Sequence, residues 1–192
     1  LYHFNETNGS FVSDASGNGN DGTVTGSTII DGRFGKGRSF LNSGDGVVIV
    51  KNLLGTINSE FTFEAWIFPT LYGDINNRRV IFDQRDNTNG TPVIELALGT
   101  LGEAHGTNVI SVILRNDANT LAEYYGSSVI PLNQWVHVAL VRNYSNSKLT
   151  CYVNGVREIN VSLGDFGSQS GFHTFTVGRN GFSNQYDFLQ DT

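Results

Sequence analysis

The Asn154-Gly155 pair constrains this chain more than any other two residues. It stands between Lys148-Leu149-Thr150-Cys151-Tyr152-Val153 and Val156-Arg157-Glu158-Ile159-Asn160-Val161, two runs rich in β-branched and aromatic residues. Asn-Gly accommodates the two positive φ angles of a type I′ turn, whose twist matches that of the strands it joins. A third such run, 135–142, precedes them across a polar tip at 143–147. Three antiparallel strands in succession follow, and the stretch carries no helical apolar stripe.

Comparable runs recur at 47–50, 61–68, 79–83, 93–98, 108–114, 121–125 and 174–178, parted by turns rich in Gly, Asn and Ser. Residues 1–4 read as a first strand, and 186–192 as the start of a last one. In 61–68 the residues Phe61, Phe63, Ala65 and Ile67 share a face, and Pro69 ends the run by withholding a ladder donor. The pattern predicts an all-β sandwich of two antiparallel sheets. At 192 residues the expectation is one domain spanning 1–192, excised from a longer chain because it opens in a strand without Met.

The lone cysteine, Cys151, excludes an internal disulfide and sits where a buried, inert thiol is expected. A net charge of −6, with no basic cluster beyond Arg78-Arg79, argues against nucleic acid as a partner. No apolar run is long enough for membrane insertion as a helix.

Oxygen-bearing side chains alternate in Asp14-x-Ser16-x-Asn18-Gly19, the opening spacing of an EF-hand loop. Thr25 stands where that loop needs a bidentate Glu, so an EF-hand is rejected. Two readings stay open: a Ca²⁺ site completed by a distant carboxylate, or a turn whose side chains bond their own backbone. No strand reads Glu-x-Asp-x-Glu, the string that would line up hydrolytic carboxylates on one face, so an enzyme is not expected. Glu60 and Glu64 read as surface charges, and His137 as a hydrogen-bonded sandwich residue. Trp66 and Trp135 read as core, each lying inside a β-patterned run. Ligand-binding groups are expected on the loops: Tyr72, Arg78, Arg85, Asn87, Arg115, Asn116, Tyr125, Arg179 and Asn180. The plain alternative for each is a solvated turn residue.

The runs 61–69, 132–142 and 148–155 resemble the signature strands of laminin-G-like, concanavalin A-like lectin/glucanase domains. Residues 13–22 followed by 34–40 look like that family's opening. The resemblance implies a concanavalin A-like jelly-roll sandwich of two antiparallel sheets. It also implies one structural calcium, held by Asp14 and Asn18 of the opening loop and by Asp191 on the final strand. Gln190 stands where the family usually has an acid. The two ends of the chain are similar to copies in bacteriophage structural and tail-associated proteins.

The functional expectation is a non-catalytic lectin-like module, exposed on a virion or an extracellular structural protein. Its expected partners are a glycan on a host or environmental surface and other subunits of the parent assembly. Two alternatives are a purely structural decoration module of a phage particle and an accessory module of a secreted polysaccharide-degrading enzyme.

Overall fold

The computed structural model describes residues 1–42, 44–73, 78–86, 90–99, 106, 108–172 and 174–179. Among these, no residue is helical, and the strands run in chain order as β1 (Phe11–Val12), β2 (Gly22–Thr25), β3 (Thr28–Asp31), β4 (Lys36–Ser39), β5 (Gly46–Ile49), β6 (Phe61–Ile67) and β7 (Arg79–Arg85). They continue as β8 (Val93–Leu98), β9 (Ile110–Arg115), β10 (Leu121–Tyr125), β11 (Val136–Asn143), β12 (Lys148–Val153), β13 (Val156–Ser162) and β14 (Thr174–Val177). An eight-stranded sheet has the order β1-β2-β5-β14-β7-β8-β9-β10, a four-stranded sheet β13-β12-β11-β6, and β3-β4 form a hairpin of their own. Every pairing is antiparallel.

The expected central hairpin is present. Asn154 and Gly155 have φ of 50° and 79°, as a type I′ turn requires. Along β11 burial alternates strictly, with Val136, Val138, Leu140 and Arg142 buried. That alternation is what a strand with one face on a core and one outside it must show. Cys151 is fully buried beside them, and burial pushes its thiol pKa up to about 12.

The interior joins the two sheets through aromatic contact. Phe63 of β6 meets Phe82 of β7 with ring centroids 4.2 Å apart, and Phe82 stacks on Phe175 of β14 at 5.3 Å and 12°. Ile94, Leu96 and Leu98 of β8 and Ile110, Val112 and Leu114 of β9 complete the larger sheet's inner face.

Two irregularities decide which side chains face outward. In β7 the register jumps between Val80, opposite Ala97, and Phe82, opposite Leu96. Ile81 is the extra residue of a β-bulge, so Ile81 and Phe82 both reach the core while Asp83 and Arg85 turn to the outer face. In β12–β13 the partners pass from Cys151↔Ile159 to Tyr152↔Arg157. The intervening Glu158 bonds instead to the Ser127 and Ser128 N–H groups at 3.1 and 3.0 Å.

Residues 1–4 are not a strand. The Leu1 carbonyl accepts from Ala15 N (2.8 Å) and Phe4 has φ of 56°, so the segment is bound to the Asp14 loop rather than to a sheet edge. Strands β2 and β3 form within 22–31, where the sequence reading named no strand. Gly22 is required there: a Cβ would stand 2.6 Å from Val47 Cγ1 and 2.7 Å from Val12 Cγ2. The expected final strand at 186–192 lies outside the described residues.

Arg142 is 1% exposed, and burial lowers its pKa. Its Nε donates to the Ile57 carbonyl (2.6 Å), its Nη2 to the Gly164 carbonyl (3.3 Å), and its guanidinium lies 5.2 Å from the Tyr144 ring centroid. One cation thereby holds two loops against the core. Replacing it by Leu strips two carbonyls of their donor, and a loss of about 2–4 kcal/mol is expected. Urea denaturation followed by circular dichroism measures it.

Candidate functional site

Register brings chemistry together on the outer face of the eight-stranded sheet. Asp83 of β7 is the direct partner of Glu95 of β8, and Arg85 stands opposite Val93. Arg85 Nε donates to Asp83 Oδ2 at 2.5 Å and its Nη2 to Glu95 Oε2 at 3.0 Å. Arg78 Nε donates to Glu95 Oε1 at 2.8 Å. Two carboxylates and two guanidiniums thus form one closed cluster, in which Asp83 and Glu95 are fully buried. Burial alone would lower the Arg85 pKa, but the Asp83 and Glu95 carboxylates outweigh it and hold the cation above its ordinary value. Thr174 and Thr176, opposite Arg85 and Asp83, extend this buried polar row.

Of the nine residues expected to bind ligand, Arg78 and Arg85 therefore meet, but through Glu95 and under cover. Arg115 and Tyr125 share the same sheet face further out on β9 and β10, where Tyr125 is 39% exposed. Arg115 Nη1 donates to Asn119 Oδ1 at 2.6 Å. The remaining described ones brace loops. Tyr72 Oη donates to the Ile130 carbonyl (2.8 Å), and Asn116 Nδ2 to the Phe166 carbonyl (3.0 Å) while its Oδ1 accepts from Thr120 N (2.9 Å). Arg179 Nη1 donates to the Gly44 carbonyl (2.9 Å), and burial lowers its pKa. Asn87, Asn180 and the metal candidate Asp191 lie outside the described residues.

At the opening loop Asp14 Oδ1 accepts from the Leu1 nitrogen and from Ser16 N, both at 3.0 Å, and Oδ2 from Asn20 N at 3.1 Å. Asp14 N in turn donates to Asp21 Oδ1 (2.8 Å). Hydrogen bonds, first among them that from Ser16, hold the Asp14 carboxyl far below its ordinary pKa. These donors occupy most of the lone pairs on one carboxylate. Asn18 Nδ2 is spent on Ser16 Oγ (3.0 Å). Among the described residues no three His, Cys, Asp or Glu side chains gather as a metal cluster. With Asp191 outside the described residues the expected calcium set is not seen whole, and no chemistry is derived through the ion.

Residues that the sequence reading placed in the core stand elsewhere. Trp66 is 41% exposed on the outer face of β6, opposite His137 of β11, whose Nε2 is 3.7 Å from Glu64 Oε2. Trp135 lies half-buried against Phe68 with ring centroids 5.3 Å apart. The signal was available: if Phe61, Phe63, Ala65 and Ile67 face inward, Trp66 cannot.

The model of the concanavalin A-like lectin/glucanases superfamily matches residues 41–190. The chain belongs to that superfamily. Among curated proteins no sequence match is found. The binding domain of Paraclostridial Mosquitocidal Protein 1 superposes with a TM-score of 0.68 at 20% identity, over 93% of this chain and 45% of that one. Domain 4 of AbnA, a GH43 extracellular arabinanase from Geobacillus stearothermophilus solved with arabinotriose, gives 0.64 at 21% identity, over 92% and 82%. The Ruminococcus gnavus IT-sialidase CBM40 bound to α2,3 sialyllactose gives 0.53 at 13%, over 67% and 68%. This superfamily member thus spans less than half of the first of these chains. At such identities the likeness is one of fold.

Two outcomes are expected at these positions. Arg85→Met leaves Asp83 and Glu95 buried with one guanidinium fewer, and a stability loss of about 3–5 kcal/mol by denaturant titration is expected. For Asp14 the folded pKa lies below the unfolded one, so its contribution is complete above about pH 4 and fades as pH falls further, toward the folded value. Asp14→Asn should lower the melting temperature at pH 7, with the gap from the parent narrowing below pH 4. Thermal melts from pH 7 to pH 2 check it.

Proposed function

We propose that this chain is a non-catalytic, lectin-like carbohydrate-binding module, carried on a virion or another extracellular structural protein. The superfamily's name spans two outcomes, lectin and glucanase, and the Asp83–Glu95 pair supports the first. A hydrolytic pair needs one carboxyl free to give a proton and the other free to act as base or nucleophile. Here both carboxylates are fully buried and bound to Arg85, and Glu95 is bound to Arg78 as well. That closed cluster is the observation supporting binding over hydrolysis.

The fold likeness to domains solved with arabinotriose and sialyllactose supports a saccharide as the ligand class. Covering most of an arabinanase domain also favours a second reading, an accessory module beside a polysaccharide-degrading domain. No helix among the described residues is long and apolar enough to cross a membrane. Weak binding at one site would be offset by many copies on a particle, since linked sites raise avidity without new contacts. A structural calcium at Asp14, Asn18 and Asp191 belongs to the same proposal.

The test is a glycan array probed with the 192-residue chain displayed multivalently, alongside a hydrolysis assay on arabinan and β-glucan. Binding to a defined glycan without release of reducing sugar is expected. Hydrolysis by the chain alone, or no binding to any glycan, overturns the reading. Melts with chelator and with added calcium accompany it, and a higher melting temperature with calcium is the outcome that supports the ion.

A further inference from the structure

Cross-strand register on the outer face of the four-stranded sheet places Trp66 opposite His137, with ring centroids 5.2 Å apart. One step further along the same two chain segments, Phe68 meets Trp135 at 5.3 Å. The β3–β4 turn adds a fifth ring, Phe34, edge-on to Trp66 at 6.1 Å and 80°. Arg33 lies between them, its guanidinium carbon 5.1 Å from the Phe34 centroid and 5.2 Å from that of Trp66. This turn is held in place: Gly32 N donates to the Gly35 carbonyl and Lys36 N to Asn5 Oδ1, each at 2.9 Å.

None of this is core. Phe34 is 68% exposed, Trp66 41% and Phe68 40%, whereas aromatic rings on a sheet of this size would ordinarily be turned inward. Glu64, at 70% side-chain exposure, and His137 border the rings, so the patch is aromatic faces interleaved with hydrogen-bonding groups.

We propose that this patch, centred on Trp66 and Phe34, is a saccharide-binding platform. Ring carbons of a pyranose bear C–H bonds polarised by neighbouring oxygens, and these settle on the negative face of an aromatic ring. Arg33 offers guanidinium N–H donors, and Glu64 a carboxylate acceptor, to the hydroxyls around the sugar's edge. Size also favours a sugar over a protein: a stable protein interface takes about 20–30 residues a side, and this patch has fewer than ten. The inference rests on the carbohydrate-binding reading above and places its site away from the Arg85 cluster.

The chain's only two tryptophans, Trp66 and Trp135, both lie in the patch, so intrinsic fluorescence reports on it directly. The experiment titrates the 192-residue chain with arabinotriose, cellotriose, maltotriose and 3′-sialyllactose, plus the strongest array hit. Saturable change in tryptophan emission is expected with at least one of them. Phe34→Ala and Trp66→Ala should each weaken binding at least tenfold, and Phe34→Ala should do so with a melting temperature within about 2 °C of the parent, since Phe34 is 68% exposed. Leu121→Ala, an exposed position on the other sheet, should leave binding unchanged. If the parent binds on the array but Phe34→Ala and Trp66→Ala bind equally well, the platform is wrong and the lectin reading stands. If the parent binds no glycan, both fall. Light scattering that shows a parent dimer dissolved by Phe34→Ala would make the patch a self-association surface and overturn the proposal.

Discussion

The sandwich depends on one contact between its layers. Phe82, projecting from the larger sheet, lies against Phe63 of the smaller one and stacks on Phe175 beside it. Closing the inner faces of the two sheets together supplies much of the apolar burial that sets folding against chain entropy. Once Phe82 is committed inward, the period-2 geometry of strands assigns the residues after it along β7, and their partners on β8, to one side or the other. The polar cluster around Arg85 and the aromatic patch around Trp66 are both products of that assignment, on opposite outer faces of the molecule.

The two faces solve different problems. Around Arg85 the buried charges are paired with one another, which fixes geometry and withholds the carboxylates from solvent. Around Trp66 the rings are left in water, at a cost in stability that a purely structural surface would not need to carry. Rigidity on one side and unspent surface on the other suit a scaffold that holds still while something docks.

Much of this was legible in the sequence, and the misses share a cause. The Asn154-Gly155 hairpin, the inward set of β6 and the buried state of Cys151 follow from local chemistry alone, and all are present. The superfamily is legible in residues 61–69 and 132–155. The Asp83–Glu95 pair was not, because the search for carboxylates ran along single strands, whereas these two face each other across a ladder twelve residues apart in sequence. Residues 1–4 look like a strand by composition, yet Leu1 is engaged by Asp14 and Ala15 instead. Trp66 was misplaced by preferring a residue type's habit to the parity of its own strand.

The bulge at Ile81 has a consequence for how such a chain can change over time. Strand β7 carries both the residue that locks the layers and the charges of the outer-face cluster, and a single unpaired position shifts the alternation so that Ile81 and Phe82 both point inward. Losing Ile81 would restore the plain ladder, with Phe82 still inward and Asp83 and Arg85 still outward, at the expense of one core side chain. Length along this segment is therefore open to change at that one place: a descendant can drop the extra residue and keep every other side chain on its own side.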